Sequence, residues 1–209
     1  MKVIVFGATG SVGALAVERL LAQGHGVTAF ARRVETLENS HPRLRTVAGD
    51  AKDPAAVSAA VAGHDAVVVA LGAGAARRNR IRSVGTANVI SAMKAHNVQR
   101  LVCQTTLGAG ESWANLNLFW KYVMFGLLLR PAFLDHELQE QLVRESGLDW
   151  TIVRPGAFTD EPADGAYRVD FPASERGLSL HISRADVAAF LARCLAGPDF
   201  LHRAVSISH

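Results

Sequence analysis

A chain of 209 residues that is 49% hydrophobic and 20% charged, with 18 glycines and two cysteines, has the composition of a single core-forming domain. That composition excludes disordered, collagen-like and disulfide-scaffold proteins. Its 22 basic and 19 acidic residues leave a net charge of +3, too little to argue for a nucleic-acid partner.

Met1 and Lys2 run straight into an apolar strand at residues 3–6, with no leader-like pattern before it. A helix at 11–21 follows, with Val12, Leu15, Ala16 and Leu20 on one face and Gly24 as its stop. Further strands are predicted at 27–31, 44–48, 66–71, 101–105 and 150–153. Val67, Val68 and Val69 show no polar alternation, as expected of a strand covered on both faces. Helices are predicted at 54–62, where Pro54 takes a first helical position, and at 84–96 and 132–146. Ser183 and Asp186 form a capping box before a helix at 187–195, and 204–207 closes the chain as a strand. Strands alternating with helices imply an α/β fold, a doubly wound parallel sheet, in one domain spanning 1–209.

Between the first strand and the first helix lies Gly7-Ala8-Thr9-Gly10-Ser11-Val12-Gly13. A turn this tight needs residues without a Cβ, and the helix opening there aims free amides and a positive dipole end at a pyrophosphate. The second strand ends in Ala31-Arg32-Arg33, where an NAD-specific protein would carry an acid for the ribose hydroxyls. Arg32 and Arg33 instead fit a 2′-phosphate, which points to NADP(H). Asp50, after the third strand, has two readings: a bond from the adenine amino group, or a cap for the following helix. Arg77, Arg78, Arg80 and Arg82 follow the fourth strand, a run that suits a solvated loop better than a binding patch, though one of them could help hold the cofactor.

The glycine loop, together with Ala62-Gly63-His64-Asp65-Ala66-Val67 through Gly72, Met93-Lys94-Ala95-His96, Arg144-Glu145-Ser146-Gly147-Leu148, Pro155, Gly165-Ala166-Tyr167 and Ile182-Ser183, resembles the atypical short-chain dehydrogenase/reductases. Within that group the pattern looks most like the NAD(P)H-binding, flavin reductase / biliverdin reductase B type. The resemblance implies Gly7, Thr9, Gly10, Ser11 and Val12 around the pyrophosphate, and Arg32 and Arg33 at the 2′-phosphate. It further implies Leu71 and Gly72 by the ribose, Thr105 and Thr106 near the nicotinamide, and a backbone contact to the carboxamide from the segment holding Pro155 and Phe158. The Tyr-x-x-x-Lys proton relay of the wider group is missing, since Tyr122 is followed four residues on by Gly126 and Tyr167 by Phe171. The expected chemistry is therefore hydride transfer to a conjugated acceptor, a flavin or quinone, with Thr106 as the polar contributor. An NADP-binding sensor of the NmrA-like kind, without turnover, is the competing expectation.

The stretch 108–133 is longer and more apolar than the flavin reductase pattern, and within it residues 113–133 crowd Leu116, Leu118, Phe119, Trp120, Val123, Met124 and Phe125 into one segment. It reads as a core helix, a lid over the nicotinamide or a homodimer contact. The uncharged apolar run 122–129 is far short of the roughly 20 residues a membrane span needs, so no stable membrane insertion is expected. His136 and Glu140, four apart, read as a surface contact on a helix. The eight histidines show no ligand spacing, and no metal is expected. Cys103 and Cys194 form no Cys-x-x-Cys and are expected to be buried free thiols of a cytoplasmic protein.

Overall fold

Runs of valine and isoleucine without polar alternation need cover on both faces, and this chain supplies it with helices. The computed structural model describes residues 1–37, 40–72 and 80–209. In chain order come β1 (Lys2–Phe6), α1 (Ser11–Ala22), β2 (Gly26–Ala31), β3 (Leu44–Ala48), α2 (Pro54–Val61), β4 (Ala66–Val69), α3 (Ile81–Ala95) and β5 (Arg100–Gln104). Then follow α4 (Arg130–Arg144), β6 (Asp149–Pro155), β7 (Ala157–Thr159), β8 (Arg168–Val169), β9 (His181–Ser183), α5 (Arg184–Ala196) and β10 (Arg203–Ser208). Eight strands form one sheet in the order β3-β2-β1-β4-β5-β6-β10-β8, parallel except for β8. β7 and β9 pair separately, in parallel.

Successive side chains of each strand point to opposite faces, and each face has its own core. Val3, Val5, Val68 and Val102 pack with Ala16, Leu20, Phe190 and Leu191 under α1 and α5. Ile4, Phe6, Val67 and Leu101 pack with Val57, Val89, Met93 and Val143 under α2, α3 and α4. The doubly wound reading is thus what the chain builds.

Local chemistry sets some boundaries and tertiary contacts override others. Ser183 caps α5, its Oγ accepting from the Asp186 amide at 3.0 Å, as its spacing predicts. The cap of α2 is Asp53, which accepts from the Ala55 and Ala56 amides, while the Asp50 carboxylate accepts from the Lys52 amide. Helix α3 begins at Ile81, three residues before the predicted 84, because Asp135 of α4 caps it from across the fold. The Asp135 carboxylate accepts from the Arg82 and Ser83 amides, both at 3.1 Å, and from the Ser83 hydroxyl at 2.5 Å. Helix α4 occupies 130–144 rather than 132–146, its first turn holding Pro131. Strand β4 stops at Val69 rather than at 71, so Leu71 and Gly72 belong to the loop that follows. Cys103 and Cys194 are free and buried.

The first turn is where glycine is obligatory. Gly7 has φ +84°, and a Cβ there would lie 2.4 Å from the Ala70 carbonyl oxygen. A Cβ on Gly13 would lie 2.1 Å from the Gly7 carbonyl oxygen, so helix α1 can start this close to β1 only without one.

Candidate active site

A cavity of about 520 Å³ opens at the carboxyl ends of the parallel strands, where doubly wound sheets bind their ligands. One end is floored by Gly7, Thr9, Gly10, Ser11 and Val12. Helix α1 has no side-chain cap, so its first amides are left to a ligand. Arg32 and Asp50 stand beside this end, Leu71 and Gly72 follow from β4, and Thr105 and Thr106 from β5. Pro155 and Phe158 complete the set of sequence-predicted residues on the wall. The opposite end is apolar, walled by Leu116, Trp120, Phe125, Leu129 and Leu180.

Several expectations change in detail. Arg33 does not line the cavity; its side chain is exposed and its carbonyl accepts the Thr36 hydroxyl. Arg77 and Arg78 lie outside the described residues. Thr105 donates its hydroxyl to Glu140 at 2.7 Å, so it has no free proton to offer a ligand. Among the described residues, the Thr106 hydroxyl makes only a long 3.3 Å contact to the Leu107 carbonyl. Phe158 carries the Arg184 guanidinium 5.4 Å above its ring, and Arg184 also donates to Ser11 Oγ, linking α5 to the glycine loop.

Glu140 is the largest departure, because it is buried rather than part of a surface contact with His136. Arg154, 1% exposed, grips it with Nε at 2.8 Å and Nη2 at 2.5 Å, a planar fork on a carboxylate. Nη1 reaches Glu111 Oε1 at 2.9 Å. Burial opposes the Arg154 charge, but hydrogen bonds and charges from Glu140 and Glu111 outweigh it and raise the pKa. Burial works against the Glu111 charge as well, and Arg154 prevails there, leaving that carboxyl below its usual range. This network joins β6, α4, the end of β5 and the turn at Gly110–Asn115 behind the cavity wall.

His136, Arg82 and Gln104 also line the cavity; the sequence reads His136 as a surface contact, offers Arg82 only as one of four arginines that could help hold the cofactor, and does not mark Gln104. The Gln139 amide nitrogen donates to Thr86 Oγ1 and faces Cys103 Sγ, which leaves its oxygen to accept from His136 Nδ1 at 3.2 Å. Burial first, and the Arg82 charge second, push the imidazole down to about 3. It is therefore neutral near pH 7, with Nδ1 protonated and Nε2 an acceptor. The legible signal was only that His136 follows Asp135 one turn into a helix, which periodicity cannot rank.

Residues 113–133 are not one core helix. Phe119–Leu128 is π-helical, a rare geometry that recurs at functional sites. Its inner side joins an aromatic cluster, with Phe125 stacked on Phe133 at 4.8 Å and Trp120 5.6 Å from Phe125. Leu118, Phe119, Tyr122 and Leu127 on the outer side are exposed. Among the described residues no helix is long and apolar enough to cross a membrane. Elsewhere, Asp164, Asp186 and His209 bring ligand-type atoms within 4.8 Å of one another, but none lines the cavity, and Asp186 accepts from Gly165 and Ser183.

Removing Glu140 should leave Arg154 as an uncompensated buried charge. Glu140→Ala is expected to cost about 3–5 kcal/mol in urea unfolding, and the double change Arg154→Met with Glu140→Leu distinctly less. Equal losses would mean that packing, not charge pairing, sets the stability here.

The glycine cradle, the uncapped α1 amides and a cavity of about 520 Å³ fit a dinucleotide. Comparison with known proteins agrees. A family model described as NAD(P)H-binding matches residues 7–198. The UPF0659 protein YMR090W of Saccharomyces cerevisiae is 31% identical over 95% of this chain and 88% of its own length. ChuY, an anaerobillin reductase from Escherichia coli, is 27% identical over 99% of this chain and 96% of that one, with a TM-score of 0.81. A short-chain dehydrogenase/reductase from Veillonella parvula, solved in complex with NADP, is 18% identical, covers 100% of this chain and 94% of that one, and shares the fold with a TM-score of 0.84. The chain belongs to the NAD(P)H-binding family and is an oxidoreductase.

Proposed function

We propose that this oxidoreductase uses NADPH to reduce a conjugated acceptor of the flavin or quinone kind. The observation that carries the proposal is a continuous cavity that runs from the glycine loop to a wall of Leu116, Trp120 and Phe125. The α1 amides and the glycine loop would hold the diphosphate, Arg32 the 2′-phosphate, and Leu71 and Gly72 the ribose. When bound, the reduced nicotinamide supplies a hydride. Trp120, Phe125 and Leu180 exclude water and offer flat apolar surface on which a conjugated ring can lie.

A conjugated acceptor spreads incoming charge over its ring and takes its proton from water, which suits a site without a Tyr/Lys pair. His136 offers an acceptor nitrogen rather than a proton at neutral pH. Thr106, whose hydroxyl makes only one long contact among the described residues, would be the hydroxyl that donates to the developing anion. Support also comes from ChuY being a reductase by name and from the NADP complex of the Veillonella neighbour. The buried thiols Cys103 and Cys194, the latter pushed up to about 12 by burial, suit a reducing, cytoplasmic setting.

NADPH oxidation across a panel of flavins, quinones and enones tests this function. Turnover of flavins or quinones is expected, whereas a flat panel with tight NADPH binding would mark a sensor. Arg32→Ala should weaken NADPH binding roughly 10- to 100-fold and leave NADH within about twofold, the loss expected of one charge-assisted bond. Equal affinity of the unmodified protein for both cofactors would remove the role given to Arg32.

Thr106→Val isolates the proposed donor. Loss of about 2.7–4 kcal/mol of transition-state stabilisation lowers kcat by roughly two to three orders of magnitude at unchanged NADPH affinity. A drop of only a few-fold would reduce Thr106 to a structural hydroxyl.

A further inference from the structure

The cavity wall contains a cation whose hydrogen bonding is incomplete. Arg82 lines the cavity with only 14% of its side chain exposed. Among the described residues, its Nε and Nη1 are buried without any hydrogen-bond partner. The neighbouring Asp135 does not meet this need. Its oxygens are taken by the Arg82 and Ser83 amides and the Ser83 hydroxyl, and Arg82 Nη1 stops 3.9 Å from Oδ2, beyond hydrogen-bond reach. Burial outweighs the Asp135 charge and lowers the Arg82 pKa, so the charged guanidinium is held at a cost. Buried donors left unpaired are expensive, and where they border a ligand cavity a ligand is the natural partner.

The surroundings say which ligand atom fits. Gln104, on the same wall, has a buried Oε1 that also lacks a partner among the described residues, and His136 presents an acceptor nitrogen. Of these three, Arg82 is the charged one, and its buried Nε and Nη1 lack an acceptor among the described residues, which calls for an oxyanion. Two sources have that chemistry: the diphosphate of the cofactor, or an anionic substituent on the acceptor. Position favours the acceptor. Arg82 is tied through Asp135 to the first half of α4, the helix that begins beside Leu129 and carries Phe133 of the apolar cluster. The opposite end already has the α1 amides and Arg32 for phosphate.

We propose that Arg82 reads a carboxylate or phosphate on the acceptor, so that the substrates of this site are conjugated rings bearing an anionic arm. This rests on assigning the apolar end of the cavity to the acceptor. It makes substrate choice a matter of one guanidinium rather than of apolar shape alone, since hydrophobic walls discriminate weakly.

The test is calorimetric binding to the NADP⁺-loaded protein of two matched pairs of probes: FMN against riboflavin, and a carboxylated naphthoquinone against the parent naphthoquinone. The unmodified protein is expected to bind each anionic probe at least about tenfold more tightly than its neutral counterpart. Arg82→Met, which keeps the backbone amide bonded to Asp135, should weaken the anionic probes roughly 10- to 100-fold. It should leave the neutral probes and NADP⁺ within about threefold, while Arg82→Lys retains part of the preference. A loss of NADP⁺ affinity would assign the guanidinium to the cofactor diphosphate and overturn the proposal. So would parallel losses for both members of a pair, or no preference for the anion in the unmodified protein. Absence of turnover with every acceptor would defeat the proposed function, yet the paired affinities would still decide the role of Arg82.

Discussion

The buried pairing of Arg154 with Glu140 is the interaction around which the catalytic half of this protein is arranged. A charge at 1% exposure can exist only if it is met by an opposite charge with good hydrogen-bond geometry, and Glu140 meets it with both oxygens. That requirement fixes the distance between β6 and α4. The same carboxylate accepts the Thr105 hydroxyl, so the end of β5 is held to the pair. Glu111 brings in the turn before the π-helical stretch. The wall carrying Thr106, Pro155 and Trp120 is thus anchored from behind by charges that no ligand needs to touch.

Against that rigid back, the cavity has two ends of different character. Backbone amides, glycines and an arginine make the first, a surface suited to phosphate. Aromatic and aliphatic side chains make the second, and Arg82, Gln104 and His136 give it a polar border. A neutral His136 beside a desolvated Arg82 is electrostatically consistent, since each cation would oppose the other. Under the proposed function, such a site positions a flat acceptor and keeps water away.

How much of this was legible in the sequence follows from how local each determinant is. Gly7 and Gly13 could be read because a tight strand-to-helix turn forces glycine within seven residues, and Ser183 because its cap partner is three residues away. The valine runs gave the parallel sheet for the same reason. Asp135 could not be read as the cap of α3, since it lies 53 positions from Arg82 and no local pattern links them. Glu140 looked like a solvated helix residue because a helical period says which residues share a face but not which face meets an arginine from another strand. Arg82 was hidden in a run of arginines that resembles a solvated loop, and burial is what separates it from the exposed Arg80. The apolar stretch at 113–133 was visible as anomalous, while its π-helical form, with one side on the cavity and the other exposed, depends on packing against Phe133 and Leu180.

The central claim is that cofactor and acceptor share one cavity at the same time, one at each end. Initial rates measured while NADPH and a quinone are varied against each other test it most directly. Simultaneous occupancy predicts intersecting reciprocal plots, with NADP⁺ competing against NADPH but not against the quinone. Parallel plots, or a quinone that competes directly with NADPH for the free protein, would contradict it.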